Sequence, residues 1–222
     1  MKLRNLIVVT LVVFIILLSF YLGRRSAQYT YNKMTNRFEL VKEYMAQQRD
    51  IVMLGNSMIA HGDWTRLTGR CDIANLGIGG QTVADLQLRL DNVLVHRPKH
   101  CFIEAGINDI YRGVSYPQYI SRLKELAEAV QDKGIRVTVF HILYTAPAFP
   151  GYAQLNSKVT IYNRGIDSLA AQLNFDVLDM NEQLSDDGVL LQQYALDDGL
   201  HLNEGGYAIW GTELNKYLAL HK

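Results

Sequence analysis

The chain has 222 residues, 49% hydrophobic and 20% charged, with 22 basic residues balanced by 22 acidic ones. That length holds one mid-sized domain and not comfortably two, and the composition is that of a folded globular protein. With zero formal charge, nothing in the sequence points to a nucleic-acid partner.

Residues 6–22 are an apolar run of 17 positions with only Thr10 and Ser19 mildly polar. As a helix it would be roughly 25 Å long, enough for a thin bilayer. Lys2 and Arg4 ahead of it also suit a secretory signal. The run is long for one, however, and ends in Gly23-Arg24-Arg25 without a small-residue cleavage site. The expectation is an uncleaved membrane anchor over residues 1–25, with a cleaved, secreted form as the alternative. Arg24, Arg25, Lys33, Arg37 and Lys42 count against export under the positive-inside rule. Long domains cross regardless of charge, so the rest of the chain is expected on the outer side, periplasmic or extracellular. Residues 26–49 are polar with scattered aromatics and read as a stalk.

From Asp50 onward short apolar runs alternate with amphipathic stretches, which sets the boundary of a domain over residues 50–222. Strands are expected at residues 51–54, 72–76, 101–105, 136–143 and 175–178. Helices are expected from Thr82, with Leu86, Leu90 and Val93 on one face and Asp85 completing a capping box. Others cover about residues 116–133, 156–173 and 204–218. Strand and helix alternating through five strands means a parallel sheet with helical crossovers, a three-layer α/β/α sandwich. Cys71 and Cys101 fall at the starts of two strands that flank a third, too far apart for a disulfide, and read as two buried thiols.

In such sheets ligands collect beyond the carboxyl ends of the strands. There the sequence puts Gly55-Asn56-Ser57, then Asn75-Leu76-Gly77-Ile78-Gly79-Gly80, then Gly106-Ile107-Asn108-Asp109. Asp198-Gly199-Leu200-His201 lies just before the last helix. Acyl transfer needs a nucleophile, a base, a group to orient the base and donors for an oxyanion. Ser57 on a Gly-led turn can be the nucleophile and His201 the base, with Asp198 fixing its tautomer. Backbone N–H groups of Ser57 and Gly80 and the Asn108 amide can hold the oxyanion. Each cluster alone is weak: a serine after a strand is often only a helix cap, and the glycines fit neither a dinucleotide fingerprint nor a P-loop. Together, in order, at one sheet edge, they make a set.

The blocks GNS, N-x-G-x-x-G, G-x-N-D and D-x-x-H resemble those of the SGNH/GDSL hydrolases across about residues 50–219. The run 105–110 with 75–82 is most similar to the branch of platelet-activating-factor acetylhydrolase subunits and carbohydrate esterases. The resemblance implies a flavodoxin-like SGNH fold and the same roles for Ser57, Gly80, Asn108, Asp198 and His201, with no cofactor and no metal. One position departs from the family: Asn56 stands where it usually has Asp, in a residue thought to brace the turn.

Other polar residues have plainer readings. His61, four residues from Ser57, is expected on the substrate side or at the surface. A metal set of His61, Asp63 and Asp109 lacks a known ligand spacing. His96 and His100 flank a solvated turn, and His141 reads as a hydrogen-bonded interior residue. Glu104 inside an apolar strand demands a partner, with a structural hydrogen bond favoured over a second catalytic carboxylate. Tyr111, Tyr144, Phe149 and Tyr152 fall in loops at the active edge and could form a platform for a sugar ring or acyl chain.

The resulting expectation is a serine esterase acting on a short-chain ester, such as an O-acetyl group on a glycan, tethered to the lipid bilayer by its N-terminal helix. Alternatives are a membrane-associated O-acyltransferase on a glycan, a lysophospholipase-type lipid esterase, and a non-catalytic glycan-binding or scaffold protein.

Overall fold

The computed structural model describes residues 48–221. The expected anchor, and the stalk up to residue 47, lie outside the described residues. Among the described residues no helix is long and apolar enough to cross a membrane.

Five strands build one parallel sheet: β1 (Ile51–Gly55), β2 (Ile73–Gly77), β3 (His100–Glu104), β4 (Arg136–Phe140) and β5 (Asp176–Leu178). Their order across the sheet is β2-β1-β3-β4-β5, the flavodoxin-like arrangement. Register runs Ile51↔Ile73 on one side of β1 and Ile51↔His100 on the other, so the carboxyl ends of β1, β2 and β3 finish level. β1 and β3 are buried along their whole length, as a sheet covered on both faces requires.

The connections are helical: α1 (Ser57–Ala60), α2 (Trp64–Thr68), α3 (Val83–Gln87), α4 (Leu90–Leu94), α5 (Ile107–Tyr111), α6 (Tyr116–Gln131), α7 (Tyr152–Leu173), α8 (Asn181–Leu184) and α9 (Glu204–Leu220). On one face α9 buries Trp210, Leu214 and Tyr217 with Phe102, Phe140, Trp64 and Ile59. On the other, α6 buries Leu123, Leu126, Ala127 and Val130, and α7 buries Val159, Ile166 and Leu169. A short antiparallel pair, β6 (Ser185–Asp186) and β7 (Val189–Leu190), was not foreseen; two-residue strands carry no periodic signal.

Several expectations are corrected. The helix from Thr82 is two helices, because Arg89 leaves helical geometry (φ −113°, ψ 17°) while its guanidinium donates to the Leu76 carbonyl at 3.0 Å. β4 stops at Phe140, not at residue 143. Beyond it the Ile142 N–H and C=O are taken by the Asn163 side chain at 2.9 Å each, in place of a neighbouring strand. Cys101 is buried and Cys71 exposed, since β2 begins only at Ile73; both thiols are free. His96 and His100 are buried rather than solvated, His100 opening β3 with Nε2 2.7 Å from Thr138 Oγ1. His141 is buried and bonded to Asp167 and Asp179, as an interior histidine should be.

Candidate active site

β1 ends on Gly55 and the chain turns through Asn56 directly into α1, so Ser57 is the first residue of a helix that follows a fully buried strand. The buried Asn56 side-chain Oδ1 accepts the Met58 N–H at 2.8 Å, capping α1 and fixing the turn. Its Nδ2 is buried without a partner among the described residues. Asn75 on β2 holds the far end of α1, donating to the carbonyls of Ile59 (3.0 Å) and Gly62 (3.1 Å). The Tyr207 hydroxyl on α9 donates to the Met58 carbonyl at 2.8 Å. Three elements therefore set the height and direction of Ser57.

The histidine arrives on the loop ahead of α9. Asp198 Oδ1 accepts the N–H groups of Leu200 and His201, each at 2.9 Å, which folds the loop into a tight turn. Gly199 in that turn has φ +67°, and a Cβ there would meet the backbone at Ala148 (2.9 Å) and Ala146 (3.1 Å). Only glycine lets the loop lie against that segment, where Ala146 N–H donates to the Gly199 carbonyl at 2.7 Å. Asp198 Oδ2 is then 2.6 Å from His201 Nδ1, and His201 Nε2 is 2.9 Å from Ser57 Oγ. Partial burial works to raise the Asp198 pKa. The imidazole and the two backbone N–H groups outweigh it and hold the carboxyl below its ordinary 3.8, so it is an acceptor at neutral pH. The arrangement can deprotonate a hydroxyl and return the proton to a leaving group.

The glycine-rich segment after β2 passes beside the nucleophile: a Cβ on Gly79 would lie 3.9 Å from Ser57 Cβ. Gly80 stands at φ +77°, and its N–H has no acceptor among the described residues. Asn108 on α5 uses one amide hydrogen on the Gln81 carbonyl at 2.9 Å, which leaves the second for a ligand. The structure thus brings Ser57, Asp198 and His201 together directly and sets Gly80 beside Asn108.

The other candidates are placed more variously. His61 is exposed, its ring 5.1 Å from that of His201. Tyr111 is exposed and meets half-buried Phe149 edge to face at 6.1 Å. Tyr144 turns its hydroxyl to Thr160 at 3.1 Å, and Tyr152 opens α7 half-buried; neither makes a contact with the triad among the described residues. Asp63 caps α2 through the Arg66 N–H and Asp109 accepts the Val83 N–H, so His61, Asp63 and Asp109 are not a ligand set.

Glu104 departs from expectation. It is 1% exposed, and its Oε2 has no hydrogen-bond partner among the described residues. Burial, with Asp109 adding to it, pushes its pKa up to about 8, so it is a neutral acid at pH 7. Asp109 is itself fully buried and pushed up to about 6 by burial, against the Val83 N–H that holds its charge. Arg112 was not foreseen: its guanidinium donates to the Gly80 carbonyl at 2.8 Å, and an exposed arginine after a short helix carries no local signal.

Residues 53–209 match the GDSL-like lipase/acylhydrolase family. N-acylneuraminate cytidylyltransferase of Streptococcus agalactiae serotype V is 28% identical over 130 residues, 59% of this chain and 30% of that protein. The chain therefore spans less than a third of the length of these curated relatives. A GDSL-like lipase of Bacteroides thetaiotaomicron shares the fold at TM-score 0.69 and 21% identity, over 81% of this chain and 91% of that one. A variant of an acetyl xylan esterase of Geobacillus stearothermophilus does so at TM-score 0.63 and 18% identity, over 77% and 94%.

Proposed function

The chain belongs to the GDSL-like lipase/acylhydrolase family, a family of carboxylic ester hydrolases, and from that premise we propose that it removes a short acyl group, an O-acetyl on a glycan, through an acyl-enzyme on Ser57. The single observation that carries this reading is the continuous line from Asp198 through His201 to Ser57 Oγ, at 2.6 and 2.9 Å. In it, His201 takes the Ser57 proton as Oγ attacks the carbonyl carbon and hands it to the departing alcohol. Water then enters, gives a proton to the same imidazole, and releases the acid. Asp198 keeps Nδ1 protonated and Nε2 facing the serine. The N–H groups of Ser57 and Gly80 and the Asn108 amide receive the negative oxygen.

Two features support a small acyl group on a sugar. A cavity of about 10 Å³, lined by Met58, Glu104, Ile107, Leu143 and Leu200, includes the chain neighbours of Ser57, Asn108 and His201. That is at the lower limit for one water-sized group, so the cavity favours the smallest acyl groups over long chains. The exposed Tyr111 ring against Phe149 offers an aromatic face of the kind on which a sugar ring can lie. The acetyl xylan esterase likeness points the same way. We further propose that residues 6–22 hold the domain at the outer face of a membrane. Hydrolysis of p-nitrophenyl esters from acetate to octanoate by the full chain tests the reading. Acetate should be cleaved fastest and Ser57→Ala should be inactive; a preference for octanoate, or turnover retained in Ser57→Ala, would overturn it.

A further inference from the structure

Gly77 closes β2 and the Ile78 N–H still bonds the Gly55 carbonyl at 3.0 Å, but beyond Ile78 the glycine-rich segment is loosely held by its own backbone. Gly80 stands at φ +77°, and the turn it sits in has one long bond, Gln81 N–H to the Ile78 carbonyl at 3.4 Å. Yet the Gly80 N–H must stay aimed at one point for an oxyanion to be met without reorganisation. The restraint comes from across the cleft. One short element, α5 with the residue that closes it, bonds the end of the segment once and the residues that follow it twice. Arg112 donates to the Gly80 carbonyl at 2.8 Å, Asn108 to the Gln81 carbonyl at 2.9 Å, and Asp109 accepts the Val83 N–H at 3.1 Å. Asn108 and Asp109 belong to the G-x-N-D block; Arg112 lies beyond it.

We propose that Arg112 is a positioning residue for ester hydrolysis: by holding the Gly80 carbonyl it fixes the Gly80–Gln81 peptide, and with it the Gly80 Cα about which the Gly80 N–H of the preceding peptide turns toward the oxyanion; this rests on the Ser57 acyl-enzyme reading above. The Arg112 side chain is half exposed, and its guanidinium is turned to the Gly80 backbone and to α3. One terminal nitrogen bonds Gly80, and the other lies 3.8 Å from Asp85 Oδ2. Asp85 is itself fixed by the capping box with Thr82, accepting its N–H at 2.9 Å and its hydroxyl at 2.8 Å. The planar fork reaches α3 and the Gly80 carbonyl at once, which a lysine ammonium cannot do in the same geometry. A pinned carbonyl stops the Gly80–Gln81 peptide from rotating between turnovers and so narrows the backbone freedom at Gly80 on which the direction of its N–H depends. The effect should therefore fall on the transition state and leave ground-state binding alone.

The test is p-nitrophenyl acetate hydrolysis by the full chain as wild type, Arg112→Ala, Arg112→Lys and Ser57→Ala. For Arg112→Ala, kcat should fall about ten- to a hundredfold with KM within about twofold. Added guanidinium should restore part of the rate while sodium chloride at equal ionic strength does not, and Arg112→Lys should stay impaired. The thermal midpoint of Arg112→Ala should stay near that of wild type, because the ion pair is half exposed. A variant that matches an active wild type, a rise in KM alone, or a loss that guanidinium does not rescue overturns the positioning role while leaving the hydrolase reading intact. A wild type without Ser57-dependent turnover removes both.

Discussion

Asp198 and Glu104 are carboxyl groups at the same end of one sheet, in regions built on opposite terms. Asp198 stands on an exposed loop, its side chain 48% accessible, and three polar contacts from its own turn keep it ionised. Glu104 closes the fully buried β3 with one oxygen unpartnered, and burial keeps it protonated to about pH 8. The loop gains its order from local hydrogen bonds to a charge. The strand end gains its order from packing and keeps a polar group only by neutralising it. Sequence position alone distinguishes neither; the environment decides which acid can orient a base.

The comparison breaks most sharply at Asp198. Asp198→Asn preserves much of the loop but presents Nδ1 with the wrong partner, and kcat on p-nitrophenyl acetate should drop by about a thousandfold or more. A loss under about tenfold would mean that the imidazole is oriented by something else.

Glu104 gives the opposite kind of result. Its folded value, about 8, lies above the ordinary 4.5, so the fold holds a proton that the unfolded chain releases. Its favourable state is fully present below about pH 4.5, and stability is lost as pH rises towards about 8. Glu104→Gln, which cannot ionise, should be the more stable protein at pH 9, by on the order of a few kcal/mol, with the gap closing at pH 4. Asp109 changes stability in the same direction but is common to both proteins. Urea unfolding at the two pH values measures the difference, and an equal gap at both would reject a buried neutral Glu104.

The smallest effect belongs to the nucleophile's turn. Asn56→Ala removes the cap on the Met58 N–H and should lower stability by about 1 kcal/mol. If the cap also sets the Ser57 rotamer, turnover falls with it. Unchanged unfolding midpoints would show that Tyr207 and Asn75 hold α1 without it.

The sheet and its order were readable because each strand is a short apolar run bounded by turn residues, and each crossover helix of full length shows a 3.6-residue period. The triad was readable for a related reason: Ser57, Asp198 and His201 occupy strand-end and pre-helix positions that the topology makes neighbours. What stayed hidden depends on contacts distant in sequence. The break at Arg89 follows from a bond to Leu76, the early end of β4 from Asn163, and the grip of Arg112 from where α5 meets Gly80. Glu104 looked like a residue with a partner because buried polar groups usually have one; its answer to burial is protonation instead.

The central claim is that Ser57 Oγ is the group activated by His201 and Asp198. Treating the full chain with a fluorophosphonate and mapping the labelled peptide tests it most directly. The account predicts a single adduct on Ser57, absent from Ser57→Ala and formed far more slowly in Asp198→Asn. An adduct on another residue, or equal labelling of wild type and Ser57→Ala, would contradict it.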